Sequence, residues 1–577
     1  MKKYIFIIIA FFSLYSCQDV LDVKPGDTYS EADIYSNIKL TESLVAYTYN
    51  CTENWGITFN NWWGLRIGIE NASDECYFHF SPALYVNNRG LMQPNNMGLF
   101  NMKWKQYYSF IGSANSFLSK IDNSPVASSN PTEVAILKAE MKYLRANCYA
   151  RLINYFGGVP LVKQPFELTD DFTLPRSTYE ECVNFIVSEL DEANTLMPDS
   201  KTFRVGVEFG KVSKVAILAL KSRVLLYAAS PLHDGTDDPK GPLYDYTKAS
   251  KWQDAADAAK AVIDIFDAAN KKLIPCANAT AYQKLFLTPN EELIFARPYN
   301  ATYANPNNID MNTLPDKAQG PVSAGGWGLS NPTAKFVEDF KMANGLRIND
   351  PGSGYNSNLD SMYIGREMRF YANILYQGAT FRGNALDYSS PGGKDRKGQT
   401  PNHFAITGYN TRKFLDESIT IDVTQSPKRP FPLARLAEIY LNYAEAMYHL
   451  PAGEAAAQQY ASKTALRAGL PAITTTGDAL LADIKYERQM ELYFEGHRFY
   501  DLRRWKDADR LAQDVSGVQW EKRVGGVSTG ALDANGSLVK ITVPIIEDRK
   551  FENYNYYLPI PRDEVEKAGL VQNWGYN

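Results

Sequence analysis

At 577 residues the chain is long enough to bury a large core, and a net charge of −5 with an isoelectric point near 5.8 excludes the broad basic footprint of a nucleic-acid binder. Nine Trp, 37 Tyr and 28 Phe exclude a largely disordered chain. Six cysteines without metal-finger spacing and five scattered histidines exclude a structural zinc framework.

The N-terminus reads as a signal peptide over 1–16: Lys2 and Lys3, then an apolar run from Tyr4 to Tyr15 that is too short to span a bilayer. Leu14-Tyr15-Ser16-Cys17 resembles a lipobox, which makes Cys17 the acylated (palmitate-bearing) residue, and Gln18-Asp19 resembles the short acidic tag of surface-directed lipoproteins. A tether follows over 17–27, with Pro25-Gly26 in it. Ser30-Glu31-Ala32-Asp33 opens a helix expected over 30–47. The stretch 50–96 has no sustained periodicity and is rich in Asn, Gly and aromatics, so a long irregular region is expected there.

Three/four spacing of apolar residues resumes at Leu99 and runs to about Lys120. Further helices are expected over 132–156, stopped by Gly157-Gly158, and over 177–195, 211–229 and 252–266, with Cys148 and Cys182 as buried thiols. Alanine-rich helices joined by short turns resemble tetratricopeptide (TPR) hairpins, which bury their apolar faces by stacking on neighbours. From 271 to 430 the helical pattern lapses again. A strand is expected over 291–296, a helix from Asn331-Pro332-Thr333 to 345, and a strand over 369–376.

In 432–446, Leu433, Leu436, Tyr440, Tyr443 and Met447 define one apolar helix face. The stretch 484–502 reads as one helix whose inward stripe mixes Leu492 and Phe499 with Glu491 and Glu495. Two carboxylates one turn apart invite an acid–base reading. Arg488 three residues before Glu491 and Arg498 three after Glu495 favour structural ion pairs on the same helix. Gly526-Val527-Ser528-Thr529-Gly530 matches the pattern of a hydrolase elbow but lacks the strand before and the helix after, so it reads as a loop. The run 393–400 lacks the lysine of a phosphate loop. Asp234, Asp237 and Asp238 could hold a structural calcium ion, although a solvated acidic loop is the better reading, and no other cofactor is expected.

The runs 436–446 and Glu487-Arg488 through Trp505, with Tyr557-Leu558-Pro559-Ile560-Pro561-Arg562 and Gln572-Asn573-Trp574-Gly575-Tyr576 at the end, resemble the SusD-like (RagB/SusD) family; Trp574 departs from the family's usual proline. Arg145, Tyr149, Phe156, Gly157, Gly158 and Pro160 match it as well. The resemblance implies a mostly α-helical SusD-like fold in which TPR-type helix pairs form the scaffold and long irregular loops carry the ligand site. It divides the mature chain into an N-terminal helical part, 28–270, and a C-terminal part, 271–577, packed as one unit. It further implies a non-enzymatic surface lipoprotein, anchored by lipid to the outer face of the outer membrane. Such a protein captures an oligo- or polysaccharide and delivers it to a SusC-like TonB-dependent transporter.

A pyranose ring has an apolar C–H face that a flat indole or phenol can cover, while its hydroxyl rim suits Asn, Asp or backbone groups. Trp327, Trp62, Trp63, Tyr77, Tyr85 and Tyr303 lie in the irregular regions; Asn60, Asn61, Asp74 and Asn87 are near the first-region aromatics, and Trp327, between glycines, is the first choice. Trp104 and Trp505 fall on helical faces and are expected in the core. The rival reading on the same scaffold is a peptide or glycoprotein receptor, which would need a groove with paired charges. A surface glycosidase would need two carboxylates flanking a cleft.

Overall fold

The computed structural model of the chain describes residues 29–52, 68–78, 81–298 except 168, 171 and 172, 328–395 except 359 and 360, 404–418 and 429–576, with the backbone of 57–58 and 66–67. Cys17, Trp62, Trp63, Tyr303 and Trp327 lie outside the described residues, as do the signal peptide and tether and 396–400 of the phosphate-loop look-alike.

Helices dominate. Ser30 caps Glu31–Ser36 (α1) through a reciprocal box with Asp33. The single helix expected over 30–47 is two helices, because Asn37 is extended (φ −126°, ψ 115°) and its side chain accepts from Lys39 N, capping Ile38–Thr48 (α2). Cys76–Phe78 (β1) and Pro82–Asn88 (α3) follow, then Lys103–Lys120 (α4) and the 26-residue Pro131–Phe156 (α5). Gly157 ends α5 with φ +73°, where a Cβ would sit 2.6 Å from the Leu243 carbonyl oxygen. Thr178 and Glu181 box the start of Tyr179–Leu196 (α6), and Ser213 caps Lys214–Ala229 (α7), which leads to Lys251–Ala268 (α8).

Consecutive helices pack on one another: α4 on α5, α5 on α6, α6 on α7, α7 on α8. The stack continues across a long sequence gap, as α8 packs on Leu436–Tyr448 (α9), which pairs with Glu454–Arg467 (α10) and Gly477–Glu491 (α11). Alanines at the seams, Ala255, Ala259, Ala437, Ala444, Ala457 and Ala461, are all buried and let the backbones approach closely. Trp104 and Trp505 are buried in the core, and so are the thiols of Cys148 and Cys182.

Short strands tie the non-helical pieces to this body. Leu293–Pro298 (β2) pairs antiparallel with Pro430–Arg435 (β4), placing Pro430 opposite Pro298. Ser330–Pro332 (β3) pairs antiparallel with β1, with Tyr77 opposite Asn331. Val515–Arg523 (β5) pairs antiparallel with Ser537–Glu547 (β6) and in parallel with Ser389–Ser390, making a three-stranded sheet, and Gly526–Gly530 lies in the loop between β5 and β6.

Three further expected elements differ. The helix after Thr333 covers only Ala334–Asp339, because Lys341 N instead donates to the Tyr486 hydroxyl at 2.9 Å and Met342 N to the Leu346 carbonyl at 2.8 Å. Residues 368–373 form a helix (Met368–Asn373) and only Ile374–Leu375 of the expected strand is one; Arg369, Phe370, Ala372 and Asn373 are all buried, and periodicity does not separate helix from strand for a segment buried on most sides. The helix expected over 484–502 breaks: α11 stops at Glu491, Phe494 and Gly496 have φ of +60° and +82°, and Arg498–Arg504 (α12) is separate.

Candidate functional site

That break changes the partners of Glu491 and Glu495. Both are buried, and their cations come from elsewhere in the chain. Glu491 meets Arg435 Nη1 at 2.6 Å, Arg467, Arg369 at 3.6 Å and the Tyr282 hydroxyl at 3.0 Å. Glu495 takes Arg435 Nε at 2.7 Å and Lys413 Nζ at 2.7 Å. Arg488 instead pairs with Asp501, and Arg498 with Asp74. Burial works against the Glu491 charge, yet Arg467, Arg435 and Arg369 hold its carboxyl well below the usual carboxylate range. Every oxygen of both carboxylates is already bonded in the core, so the pair ties β4, α10 and α11 together.

The irregular regions are organised differently. Segment 68–78 is a buried strap held from several sides. Arg549 donates to the carbonyls of Ser73 and Cys76 (3.0 Å for the latter), and Asn88 Nδ2 donates to the Asn71 carbonyl at 3.2 Å. Arg498 grips both oxygens of Asp74, and Thr333 donates to Asp74 O through its hydroxyl (2.8 Å) and to Glu75 O through its N–H (2.9 Å). The strap ends in β1, whose alternation buries Cys76 and Phe78 and turns Tyr77 to the other face, where it is half-buried. Burial, with the nearby Glu547 carboxylate, pushes the Tyr77 phenol up to about 12. It stays a neutral hydroxyl at any physiological pH.

Tyr85, on α3, is 45% exposed. Arg89, one turn later, lays its guanidinium 4.1 Å above the ring and donates to the Tyr85 hydroxyl at 2.9 Å, while a second ion pair ties Arg89 to Asp548. One face of the phenol is therefore occupied by a cation, and the partnership places a guanidinium at the ring edge. Sequence spacing contained this contact: Tyr85 and Arg89 are separated by four on a helix.

Where the aromatic-bearing segments join the body is the main geometric result. Arg297, one residue before the end of β2, donates to the Thr52 carbonyl at 3.2 Å, which links the described residues just before 53–67 and just before 299–327. The described residues that follow the two stretches are linked as well, since the Ser330 hydroxyl donates to Asn71 Oδ1 at 2.9 Å. The return is clamped by Asn331, buried, whose Nδ2 donates to Gly328 O (2.9 Å) and Tyr409 O (3.1 Å) while Oδ1 accepts from Ile406 N (3.1 Å). Beneath the exit lies a cavity of about 10 Å³ between Thr52, Tyr143, Arg151 and Arg223, room for one water and far too small for a sugar. Trp62, Trp63, Tyr303 and Trp327 belong to these two segments, and Tyr77 sits opposite Asn331 at their return.

No group of three or more His, Cys, Asp or Glu among the described residues could hold a metal ion. In the acidic loop weighed for calcium, Asp234 pairs with Lys251 and Asp237 lies 3.3 Å from Lys506. No helix of the described residues is long and apolar enough to cross a membrane.

Comparison with known proteins agrees with this architecture. A family model described as the SusD family matches 291–576, and a second, described as starch-binding associating with outer membrane, matches 21–226. A SusD-like protein of Bacteroides ovatus is 23% identical over 509 residues, 85% of this chain and 80% of that one. SusD-like protein P38 of Formosa agariphila is 26% identical over 236 residues, so the match takes in 38% of this chain and only 41% of that protein's length. The solved structure of a SusD-like carbohydrate binding protein from Bacteroides fragilis superposes with a TM-score of 0.71 at 25% identity, covering 92% of this chain and 98% of the other. With the two models together spanning most of the sequence, and the fold shared over 92% of the chain, this is a SusD-like protein.

Proposed function

We propose that this protein binds an oligo- or polysaccharide at the cell surface and hands it to a SusC-like TonB-dependent transporter, without cleaving it. The observation that carries the reading is the linkage of the described ends that flank 53–67 and 299–327, the stretches that contain Trp62, Trp63, Tyr303 and Trp327, by Arg297 to Thr52 and by Ser330 to Asn71, with Tyr77 opposite Asn331. Several flat rings on one face, with amides and guanidinium groups at their edges, suit a sugar chain. The starch-binding description of the N-terminal match and the carbohydrate binding of the Bacteroides fragilis relative support the same class of ligand. In this reading Cys17 carries the lipid that keeps the body on the outer membrane, and the α5–α8 and α9–α10 pairs act as a TPR-type scaffold.

Affinity electrophoresis tests it. A soluble form beginning at residue 18 is run through gels containing starch, laminarin, xylan, mannan or pectin, with Trp327→Ala and Trp62→Ala/Trp63→Ala alongside. Retardation by one polysaccharide, reduced in either variant, supports the reading. Migration unchanged by every polysaccharide, with tight binding of a peptide library instead, overturns it.

A further inference from the structure

Five tryptophans lie among the described residues, and four of them are covered. Trp104 packs on Tyr108 and Phe156, Trp252 stacks on His449 at 3.8 Å, Trp505 lies under Lys485 and Arg504, and Trp520 is fully buried. Trp574 is the exception. It is 43% exposed, no ring or cation among the described residues stacks on it, and its indole N–H has no acceptor among them. An exposed indole offers a flat apolar face with a polar N–H at its edge, and exposed Val571 lies three residues before it.

The backbone that presents this ring is over-determined. Asn573 is buried and spends its side chain on three bonds: Nδ2 to Phe156 O (3.0 Å) and Leu558 O (2.7 Å), and Oδ1 from the Tyr244 hydroxyl (3.0 Å). Trp574 N donates to the same Tyr244 oxygen at 3.0 Å. Gly575 has φ +82°, and a Cβ there would come within 2.3 Å of Tyr554 Cβ, while Tyr576 is buried. The turn is thus fixed on both sides of an indole that nothing holds down, an arrangement that lowers the entropic cost of binding a flat ligand.

A groove of about 470 Å³ lies immediately upstream, between Thr173-Leu174-Pro175 and Glu566 to Leu570. Arg176 joins its two walls by donating to Val571 O at 2.9 Å, and Val571 is itself exposed. The groove is open to solvent and is lined by apolar Leu174, Pro175 and Leu570 together with polar Thr173, Glu566 and Lys567.

We propose that Trp574 and this groove form a second carbohydrate site, in which the indole covers a pyranose face and the polar lining residues meet the hydroxyls. The proposal rests on the glycan-binding reading above but uses none of its residues. A second site of low intrinsic affinity would act by holding a long polysaccharide at two points, raising retention through effective concentration without changing the affinity for a short oligosaccharide.

The test uses the soluble form beginning at residue 18 in four versions: parent, Trp574→Ala, the triple variant Trp62→Ala/Trp63→Ala/Trp327→Ala, and the quadruple variant combining them. Far-ultraviolet circular dichroism and melting confirm that each is folded. The polysaccharide that retards the parent is the probe. Expected are a retention by the polysaccharide about threefold to tenfold weaker for Trp574→Ala, unchanged affinity for its hexasaccharide, and a residual retardation in the triple variant that disappears in the quadruple one. Equal mobility of parent and Trp574→Ala, or of triple and quadruple variants, overturns the second site while leaving the first intact. Full retardation of the triple variant instead overturns the placement of the first site, and its loss in the quadruple variant would then assign all the binding to Trp574. A 5-fluorotryptophan resonance for Trp574, identified by its loss in Trp574→Ala, should shift on titration of the triple variant with the polysaccharide; a stationary resonance counts against the proposal.

Discussion

Arg498 clasps both carboxylate oxygens of Asp74, at 2.8 and 2.7 Å, across 424 residues of sequence. Asp74 is shared with Arg510, which also binds Asp339 at 2.7 Å, so one buried carboxylate locks the strap 68–78 to α12 and to the helix after Thr333. Burial opposes the Asp74 charge, but Arg498 and Arg510 hold the carboxyl below its ordinary value. Breaking such a pair from one side leaves an uncompensated buried charge, which costs about 3–5 kcal/mol. Asp74→Ala should therefore destabilise the protein strongly, and Asp74→Leu/Arg498→Met should recover much of the loss. Urea titrations of the three proteins decide this; a single variant as stable as the parent would show that the clasp contributes nothing.

Glu75, next to it, behaves in the opposite way. It is 1% exposed and neither carboxylate oxygen has a hydrogen-bond partner. Burial, reinforced by Asp74 and Glu70 and opposed by Arg498 and Lys413, pushes its carboxyl well above 4.5. For a carboxyl raised on folding, the stabilising contribution is fully present below pH 4.5 and is lost as pH climbs toward the raised value. Glu445 has the reverse sign: burial opposes its charge but Arg504 holds it at about 2, so its contribution is present above 4.5 and lost as pH falls from there to about 2. Glu75→Gln should thus raise the melting temperature at pH 8, by about 2–4 °C if it relieves about 1 kcal/mol, and do nothing at pH 4. Calorimetry at the two pH values checks it, and a rise at pH 4 alone would refute the assignment.

Glu491 and Glu495 give a third test, on what they are for. If they serve the core network, Glu491→Gln lowers stability by about 3–5 kcal/mol, since Arg435 and Arg467 lose a buried partner. The folded fraction should still retard on the polysaccharide gel. Release of reducing ends should remain at background in parent and variant alike. Reducing ends produced by the parent and abolished in the variant would restore the catalytic reading.

The scaffold was legible from sequence because its signals are local. Gly157, Thr178, Ser213 and the alanine seams act within a few residues, and the helix bounds they imply are met to within about three positions at α5, α6 and α7. Breaks driven by distant partners were not legible. Asn37, Phe494 and Gly496 interrupt sequences with continuous helical spacing, and the true partners of Glu491 and Arg498 lie 24 to 424 residues away. Of the candidate ligand residues, Tyr77 lies opposite Asn331, just beyond the end of 299–327, and the Arg89 lid on Tyr85 could have been found from its spacing. The exposed Trp574 could not, because nothing in Gln572-Asn573-Trp574 distinguishes a bare indole from a packed one until Asn573 and Tyr244 are seen to hold the turn from below.

Asn331 joins that attachment point to binding. Its amide fixes Gly328 and Tyr409 by donation and Ile406 by acceptance, and among the described candidate ligand residues it meets only Tyr77, through the backbone pairing. Asn331→Ala leaves one buried N–H and two buried carbonyls without their side-chain partner, each worth about 1–3 kcal/mol when unmet. Gly328 directly follows Trp327, so the loss is local to the return of 299–327. If an aromatic face built on these segments carries the glycan, Asn331→Ala should weaken retardation about tenfold at a temperature where the variant is fully folded by circular dichroism, with Asn331→Asp intermediate because it keeps the acceptor for Ile406 N. Undiminished retardation by a folded Asn331→Ala protein would mean that the glycan is held elsewhere on the molecule, and the quadruple tryptophan variant would then say whether Trp574 is where.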